Sequence, residues 1–321
     1  MEYRRLGKTG WDVSPVSVGA WALGNQWGDL SDDTARDTVR AALDCGINLF
    51  DVADGYGPLL AEERLGKALG SERSSVFIAT KVGNLGNRQG HAQAYTHPLH
   101  IVSACHASLH RLGTDYIDLY QCHQADPDNV EVFLEGFGIL REQGKIRHFG
   151  VSSGNADVIA KFDADGECAI AQIDYSIVRR GAERAALPLC LERDIGTLIR
   201  GSLGQGVLTG KYDAETRFGD SVRSGWNDGE RRELFLKELA VAAAVGELSR
   251  PGRGLVELAL GFVLAHPAVT CAITGAKSPG QIRANAAAGA VSLTSEELET
   301  IRECSADMTR PLAAGASPQR T

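Results

Sequence analysis

Eight apolar runs of strand length alternate with helical patterns along nearly the whole chain. Strict alternation requires a parallel sheet, because each strand must return through a helix to the same end of the sheet. Such a sheet is either open and doubly wound or closed into a barrel, and eight units favour closure. The predicted strands are residues 16–19, 47–51, 76–81, 117–122, 146–152, 169–174, 196–200 and 271–274.

Helical periodicity fills the intervals between these runs. Ser31 and Asn155 are typical N-caps, and Gly46 and Gly289 stand where a left-handed helix stop is expected. A short hairpin turn is predicted at residues 6–10, before the first barrel strand. The predicted helices are residues 31–44, 98–112, 129–143, 155–162, 183–192, 232–248, 255–265 and 279–288.

The chain length of 321 residues fits one such barrel, which takes about 250 residues or more. The composition, 43% hydrophobic and 23% charged, is that of a globular protein with a substantial core. We therefore predict a single α/β domain, a (β/α)8 TIM barrel over residues 1–310, with a short N-terminal hairpin and long loops at its C-terminal mouth. The tail, residues 311–321, is predicted to be disordered.

The formal net charge of −8 argues against nucleic acid as the main partner, since a phosphate backbone needs a broad basic surface. A small anionic cofactor needs only a few local cations. No apolar stretch approaches the roughly 20 residues that span a bilayer, and the first residues lack the apolar core of a signal peptide. We expect a cytoplasmic protein with no membrane partner, whose 7 cysteines are free thiols.

Four residues suited to acid–base chemistry stand at or just beyond strand ends. Asp51, Lys81 and His123 each close an apolar run, and Tyr56 follows in a Gly-rich turn. Each residue alone also has an ordinary structural explanation, such as a helix cap or a solvated strand end. A charge that closes a buried strand is costly unless it is paired or functional. Since the carboxyl ends of barrel strands meet at one mouth, the joint pattern predicts one site.

These side chains match the chemistry of carbonyl reduction. A tyrosine phenol is protonated at neutral pH, so Tyr56 can donate a proton to a developing alkoxide. We assign to Lys81 the ammonium that stabilises the phenolate, and to Asp51 the carboxylate that holds Lys81. His123, as a neutral imidazole, can orient the carbonyl oxygen. No side chain delivers a hydride, so a reduced nicotinamide or flavin must supply it.

Further motifs surround these four residues. They are YRRLG at 3–7, GINLFDVADGYG at 46–57, ATK at 79–81, LGTDYIDLY at 112–120, GKIRHFGVS at 144–152 and GVLTGKY at 206–212. In these motifs the chain resembles the aldo-keto reductase superfamily over nearly its whole length. The resemblance implies NADPH-dependent reduction of small aldehydes or ketones on an eightfold barrel. It also implies that the family's catalytic tetrad is Asp51, Tyr56, Lys81 and His123.

The same resemblance implies where NADPH or NADP+ would bind. Ser152 and Gln172 match residues that bind the nicotinamide carboxamide. Gly201, Leu203 and Gly206 lie in the stretch that runs along the coenzyme pyrophosphate in the family.

Residues 275–285, GAKSPGQIRAN, resemble the family's adenosine-phosphate site. Pro279 suits a first helical turn, so Lys277 lies at a helix N-terminus, where the backbone amides and the helix dipole attract phosphate. The resemblance places Lys277 at the 2'-phosphate and two residues one helical turn apart at the adenine. The residues predicted to bind this end of the coenzyme are Gly275, Lys277, Ser278, Gln281 and Asn285.

Two positions depart from the family pattern. Ser153 stands where the family usually has Asn, which would weaken one carboxamide contact. Arg200 replaces the aromatic residue that stacks on the nicotinamide; a planar guanidinium can still stack, although it adds charge.

Two long loops are expected at the barrel mouth. Residues 84–97 and 212–231 are predicted substrate walls or lids, the second with Arg217 and Arg223 over the coenzyme pyrophosphate. Both Trp21 and Trp226 could line the substrate pocket or fill the core, and we favour Trp21 for the pocket.

Two other functions are open at this point. A Schiff-base lyase would use Lys81 as its nucleophile, but pairing with Asp51 keeps a lysine protonated and poorly nucleophilic. A cofactor-binding regulatory subunit with vestigial catalysis is opposed by the complete tetrad. The histidines between His91 and His110 do not predict a metal site, because no carboxylate or thiol completes a zinc set; Cys105 points to another helical face.

Overall fold

The computed structural model describes residues 1–90 and 94–309. Within these residues eight parallel strands close into a barrel, in which neighbours follow chain order and the last strand pairs with the first. The predicted TIM barrel and its N-terminal antiparallel hairpin are therefore confirmed, while the tail at 311–321 lies outside the described residues. The hairpin strands are β1 (Arg4–Arg5) and β2 (Asp12–Val13), and the barrel strands are β3 (Val16–Gly19), β4 (Leu49–Asp51), β5 (Phe77–Val82), β6 (Ile117–Cys122), β7 (Ile146–Val151), β8 (Ile170–Asp174), β9 (Gly196–Arg200) and β10 (Cys271–Gly275).

Helices form the layer outside the strands. None of those in the described part of the chain is long and apolar enough to cross a membrane. The helices are α1 (Asp32–Asp44), α2 (Leu60–Leu69), α3 (Leu85–Arg88), α4 (Pro98–Leu112), α5 (Val130–Glu142), α6 (Ala156–Phe162), α7 (Ala186–Glu192), α8 (Gly229–Gly246), α9 (Leu255–Ala265), α10 (Pro279–Ala288) and α11 (Ser295–Cys304).

The hairpin covers the amino-terminal end of the barrel. Leu6 and Val13 are fully buried and belong to the same apolar cluster as Leu49, which begins β4. Trp11 stacks on Phe77, the first residue of β5, with ring centroids 4.4 Å apart. Because this end is filled by side chains, the opposite mouth is the place for a site.

The register of the strands brings the strand ends that carry the predicted acid–base residues together at that opposite mouth. Asp51 is the register partner of Ala79 on β5, and Lys81 is the partner of Gln121 on β6. His123 follows β6 directly, and its backbone amide donates to the Val82 carbonyl at 2.8 Å. Parallel pairing therefore places all three predicted strand-end residues at one edge of the barrel.

The structure contains two longer helices whose bounds were not predicted from the sequence, although Gly70, the C-cap of the first, was expected to end a helix. Helix α2 begins after Leu59, whose φ of 71° is left-handed and gives no capping signal. Position 66, within α2, is occupied by glycine because an added Cβ would stand 2.4 Å from the Leu112 carbonyl oxygen. Helix α11 does carry a signal, the capping box formed by Thr294 and Glu297.

Two details of the predicted helices were wrong. Residues 183–192 form a 3-10 turn, Gly181–Arg184, followed by α7, because Ala185 between them has a non-helical φ of −147°. Gly289 is not a left-handed stop, since its φ is −65°. A Cβ at Gly289 would stand 2.4 Å from a Val16 methyl, so close packing on β3 explains the glycine.

A buried polar network ties two helices to the barrel. The Glu62 carboxylate on α2 is fully buried and accepts hydrogen bonds from Thr80 at 2.6 Å and from Arg111 at 2.7 Å. Asp54 lies nearby and is 2% exposed, and its Oδ1 has no hydrogen-bond partner among the described residues. Burial, followed by the negative charge of Glu62, raises the pKa of Asp54 to about 7.

This raised pKa predicts a pH-dependent stability. An unfolded aspartate ionises near pH ~4, whereas folded Asp54 keeps its proton until about pH 7, so the free energy of unfolding falls as pH rises between these values. The variant Asp54→Asn cannot ionise at this position. As pH rises from about 4 to about 8, its free energy of unfolding should increase relative to that of wild type by on the order of 2–4 kcal/mol. Urea unfolding of both proteins across this pH range is the measurement. Parallel pH dependence of the two proteins would contradict the prediction.

Candidate active site

Lys81 is the centre of the predicted tetrad. Its Nζ is fully buried and donates to Asp51 Oδ1 at 2.6 Å, to the Val52 carbonyl at 2.8 Å and to Tyr56 Oη at 3.3 Å. An ammonium has three N–H groups, and these three acceptors use all of them. The structure therefore brings together Asp51, Lys81 and Tyr56 as expected from their strand ends.

The charge of Lys81 is maintained by its neighbours. Burial by itself would lower the pKa of Lys81, but the attraction of Asp51 and Tyr56, with the hydrogen bonds to both, outweighs burial and raises that pKa. The side chain is consequently an ammonium at neutral pH, and it places a positive charge directly beside the Tyr56 oxygen.

The Asp51 carboxylate is fixed on its other side by two amides. Its Oδ2 accepts from Gln172 Nε2 at 2.7 Å and from Gln121 Nε2 at 3.4 Å. Gln172 was predicted to bind the coenzyme, and no role was predicted for Gln121. The available signal was an amide near the end of the predicted strand 117–122, which burial would penalise without a partner.

Tyr56 and His123 face the same opening. Their rings lie edge to face with centroids 5.9 Å apart, and the two residues are 6% and 4% exposed. Trp21 stacks over Tyr56 at a centroid distance of 5.5 Å and also lines the opening. A carbonyl oxygen that enters here would meet an imidazole and a phenol together.

A continuous cleft runs from these rings past the end of β9 to the N-terminus of α10. Most of the residues predicted to bind the coenzyme line it. These are Gln172, Arg200, Gly201, Leu203, Gly206, Gly275, Lys277 and Gln281.

The other three predicted coenzyme residues do not line the cleft. Ser152 is buried just after β7, where its backbone amide donates to the Cys122 carbonyl at 2.8 Å. Ser278 is the N-cap of α10 and accepts from the Gln281 amide at 3.3 Å. Asn285 donates to the Gly275 carbonyl at 3.3 Å and so supports the preceding turn.

Arg200 is held in the cleft by a partly buried carboxylate. Asp174 Oδ2 lies 3.1 Å from Arg200 Nη1 and 3.3 Å from Arg179 Nη1, and Arg179 also lines the cleft. Burial would raise the pKa of Asp174, but the two guanidinium groups outweigh it and lower that pKa. No role was predicted for Arg179, because it lies in a loop and belongs to no motif.

One cation of the predicted lid, residues 212–231, lines the cleft. Arg223 pairs with Asp220 at 2.8 Å, donates to Tyr212 Oη at 2.7 Å and stands 5.0 Å from the Trp27 ring centre. A Cβ at Gly206 would stand 2.9 Å from the Tyr212 ring and 3.3 Å from Arg223, so only a glycine lets the lid approach this closely.

Two other predicted lid residues lie elsewhere. Arg217 is exposed and donates to the carbonyls of Glu215 and Thr216, so it is not a cleft cation. Trp226 is 3% exposed and packs on Phe218 with ring centroids 5.5 Å apart, which makes it a core residue.

The donor set of the cleft fits a nicotinamide dinucleotide. An acid–base group lies at one end, a capped helix N-terminus lies at the other, and guanidinium groups lie between them in a chain of net charge −8. Cations and a helix N-terminus are the groups that bind phosphates. In the described ranges no three His, Cys, Asp or Glu side chains cluster to hold a metal, and His91 lies outside them.

Comparison with known proteins places this site in a family. The model of the aldo/keto reductase family matches residues 15–306. Aldo-keto reductase YhdN of Bacillus subtilis is 36% identical over 315 residues, 94% of this chain and 92% of the relative. The NADH-specific methylglyoxal reductase of Escherichia coli is 34% identical over 317 residues, 93% of this chain and 96% of the relative.

Solved structures give the same result for the fold. Glycerol dehydrogenase AKR11B4 from Gluconobacter oxydans superimposes with a TM-score of 0.82 at 29% identity, over 98% of this chain and 99% of that one. A match of one family model to nearly the whole barrel, together with these relatives, leads to one conclusion: the chain belongs to the aldo/keto reductase family.

Proposed function

We propose that this protein reduces an aldehyde or ketone to the alcohol with NADPH, and that Tyr56 donates the proton. The observation that carries the proposal is the Lys81 ammonium, buried between the Asp51 carboxylate and the Tyr56 oxygen at the barrel mouth. Membership of an oxidoreductase family supports carbonyl reduction in general.

Each member of the tetrad has one role in the proposed reaction. His123 hydrogen-bonds the carbonyl oxygen and directs it towards Tyr56. Bound reduced nicotinamide would supply the hydride that no side chain can deliver. The developing alkoxide takes the Tyr56 proton, and the Lys81 ammonium stabilises the phenolate that remains. Asp51 keeps Lys81 charged and in place, so the positive charge is present before the reaction begins.

The proposed preference for NADPH rests on the α10 end of the cleft. Lys277 is an exposed cation directly before the Ser278 cap, and its side chain donates to the Trp27 carbonyl. A cation at a helix N-terminus favours the extra phosphate of NADPH. One relative, at 34% identity, is named as NADH-specific, so coenzyme preference varies among similar chains and has to be measured for this one.

The same geometry disfavours the Schiff-base lyase. A lysine nucleophile needs a free lone pair, whereas all three Lys81 N–H groups are donated and its pKa is raised. Borohydride in the presence of substrate should therefore trap no adduct at Lys81. A non-catalytic coenzyme-binding subunit is disfavoured by the presence of all four tetrad side chains at the mouth.

Tyr56→Phe removes the proposed proton donor and retains the ring that Trp21 covers. We expect turnover to fall about 100-fold or more, the usual scale for a general acid, while NADPH affinity stays within about twofold. Absorbance of NADPH with a panel of aldehydes and ketones measures turnover, and fluorescence titration measures binding. Retention of more than about a tenth of wild-type turnover would mean that another acid carries the step.

Lys81→Met removes the charge beside the phenol. Turnover should fall strongly, and the alkaline limb of the pH–rate profile should move to higher pH, because the phenolate loses its stabilising cation. NADPH titration serves as the control for folding, since the uncompensated Asp51 would destabilise the protein. A modest loss of activity with an unchanged pH profile would remove Lys81 from the proposed mechanism.

Lys277→Ala should weaken NADPH binding by about 1–3 kcal/mol, the scale of a charge-assisted hydrogen bond, and change NADH binding little. Fluorescence titration with both coenzymes makes the comparison. Arg283→Ala is a matched control, because Arg283 is a cation of the adjoining helix α10 and pairs with Asp44 at 3.1 Å. Equal losses for the two coenzymes in Lys277→Ala would show that Lys277 does not bind the 2'-phosphate.

A further inference from the structure

One amide oxygen joins two segments at the mouth of the barrel. Gln26 Oε1 accepts from the indole Nε1 of Trp21 at 2.6 Å and from the backbone amide of Gly57 at 3.2 Å. Trp21 lies in the 3-10 turn Ala20–Gly24, and Gly57 directly follows Tyr56. A single side chain therefore connects the tryptophan that covers Tyr56 with the turn that carries Tyr56.

The two segments are also in direct backbone contact. A Cβ at Gly24 would stand 2.5 Å from the Gly57 amide nitrogen, so no larger residue fits there without a shift of the backbone. Trp27 packs edge to face on Trp21 with ring centroids 5.0 Å apart. The rings of Trp21, Trp27 and Tyr56 form one wall of the cleft, which we call the aromatic wall.

The Gln26 contact determines whether the Trp21 part of the aromatic wall can donate a hydrogen bond to a substrate. An indole has a single polar hydrogen, on Nε1, and Gln26 accepts it from Trp21. Trp21 therefore lines the cleft with an aromatic ring and has no hydrogen-bond donor left for a ligand. An apolar or aromatic substrate body gains from this contact, whereas hydroxyl groups placed against it lose their bonds to water without replacement.

We propose that Gln26 is a positioning residue that makes this site select aldehydes and ketones with an apolar or aromatic body over polyhydroxylated ones. The inference rests on the proposed carbonyl reduction and adds its substrate class. Gln26 acts through Trp21 and the Tyr56 turn and takes no part in the proton transfer.

A second set of contacts makes this role separable from folding. Arg64 on α2 donates to the Leu23 carbonyl at 2.6 Å, to Asn25 Oδ1 at 2.8 Å and to the Leu30 carbonyl at 2.9 Å. These bonds hold the backbone of the segment on both sides of Gln26. Loss of the Gln26 amide should therefore release the indole of Trp21 and leave the segment folded.

Two variants of Gln26 test the proposal. Gln26→Met is close in length and has no acceptor oxygen, whereas Gln26→Glu retains one. The first readout is the ratio of kcat/KM for 4-nitrobenzaldehyde to that for glyceraldehyde. We expect Gln26→Met to lower this ratio about tenfold, mainly through a higher KM for the aromatic aldehyde, and Gln26→Glu to stay within about threefold of wild type.

The second readout does not depend on turnover. In the ¹H–¹⁵N spectrum, the indole signal of Trp21, assigned by its loss in Trp21→Phe, should exchange slowly with solvent in the wild type and in Gln26→Glu. It should exchange faster in Gln26→Met. NADPH titration shows that each variant has retained the coenzyme site.

The outcomes separate the two proposals. If the wild type reduces both aldehydes and Gln26→Met leaves their ratio unchanged, or lowers both rates equally, the selectivity proposed for Gln26 is overturned. An indole that exchanges equally fast in wild type and Gln26→Met also overturns it. A wild type that binds NADPH but reduces no carbonyl compound, with a protected indole, overturns the proposed function and with it the substrate class.

Discussion

The buried ion pair between Lys81 and Asp51 is the interaction on which the rest of the mouth depends. Taking an ammonium and a carboxylate out of water costs several kcal/mol for each ion, and the cost is offset only by close pairing and complete hydrogen bonding. Here the 2.6 Å contact is completed by a backbone carbonyl, by the Tyr56 oxygen and by two glutamine amides. Every element that supplies one of these partners is constrained by the pair.

That constraint explains why strands distant in sequence have to keep their register. A shift of one residue in β5 relative to β4 would turn Lys81 to the other face of the sheet and leave Asp51 buried without a counter-ion. Gln172 reaches the same carboxylate from β8, across the barrel. Barrel closure and the geometry of the site are thus two results of the same pairing.

The features that the sequence predicted well are those with a local signal. Strand ends marked by Asp51, Lys81 and His123, and the helix start at Ser278 and Pro279, depend on residues adjacent in the chain. Barrel closure also followed, because strict alternation of strands and helices leaves few topologies.

The features that were missed depend on contacts between distant segments. Gln121 meets Asp51 across the sheet, and Arg179 donates to Gln205, 26 positions further along the chain, at the wall of the cleft. The start of α2 was missed because a left-handed Leu59 replaces a capping residue. The role of Gln26 was not predicted because it depends on contacts with Trp21 and Gly57, and Gly57 lies 31 positions further along the chain.

The hairpin at the opposite end of the barrel has a consequence for how such a protein can change over time. Leu6 and Val13 fill the floor, and neither of them lines the cleft. Mutations in the floor therefore alter the free energy of unfolding, while mutations in the loops at the rim alter the recognition of ligands. Because the floor and the rim loops lie at opposite ends of the barrel, rim loops can diversify without compromising the floor, and a reinforced floor gives the rim more tolerance for destabilising changes.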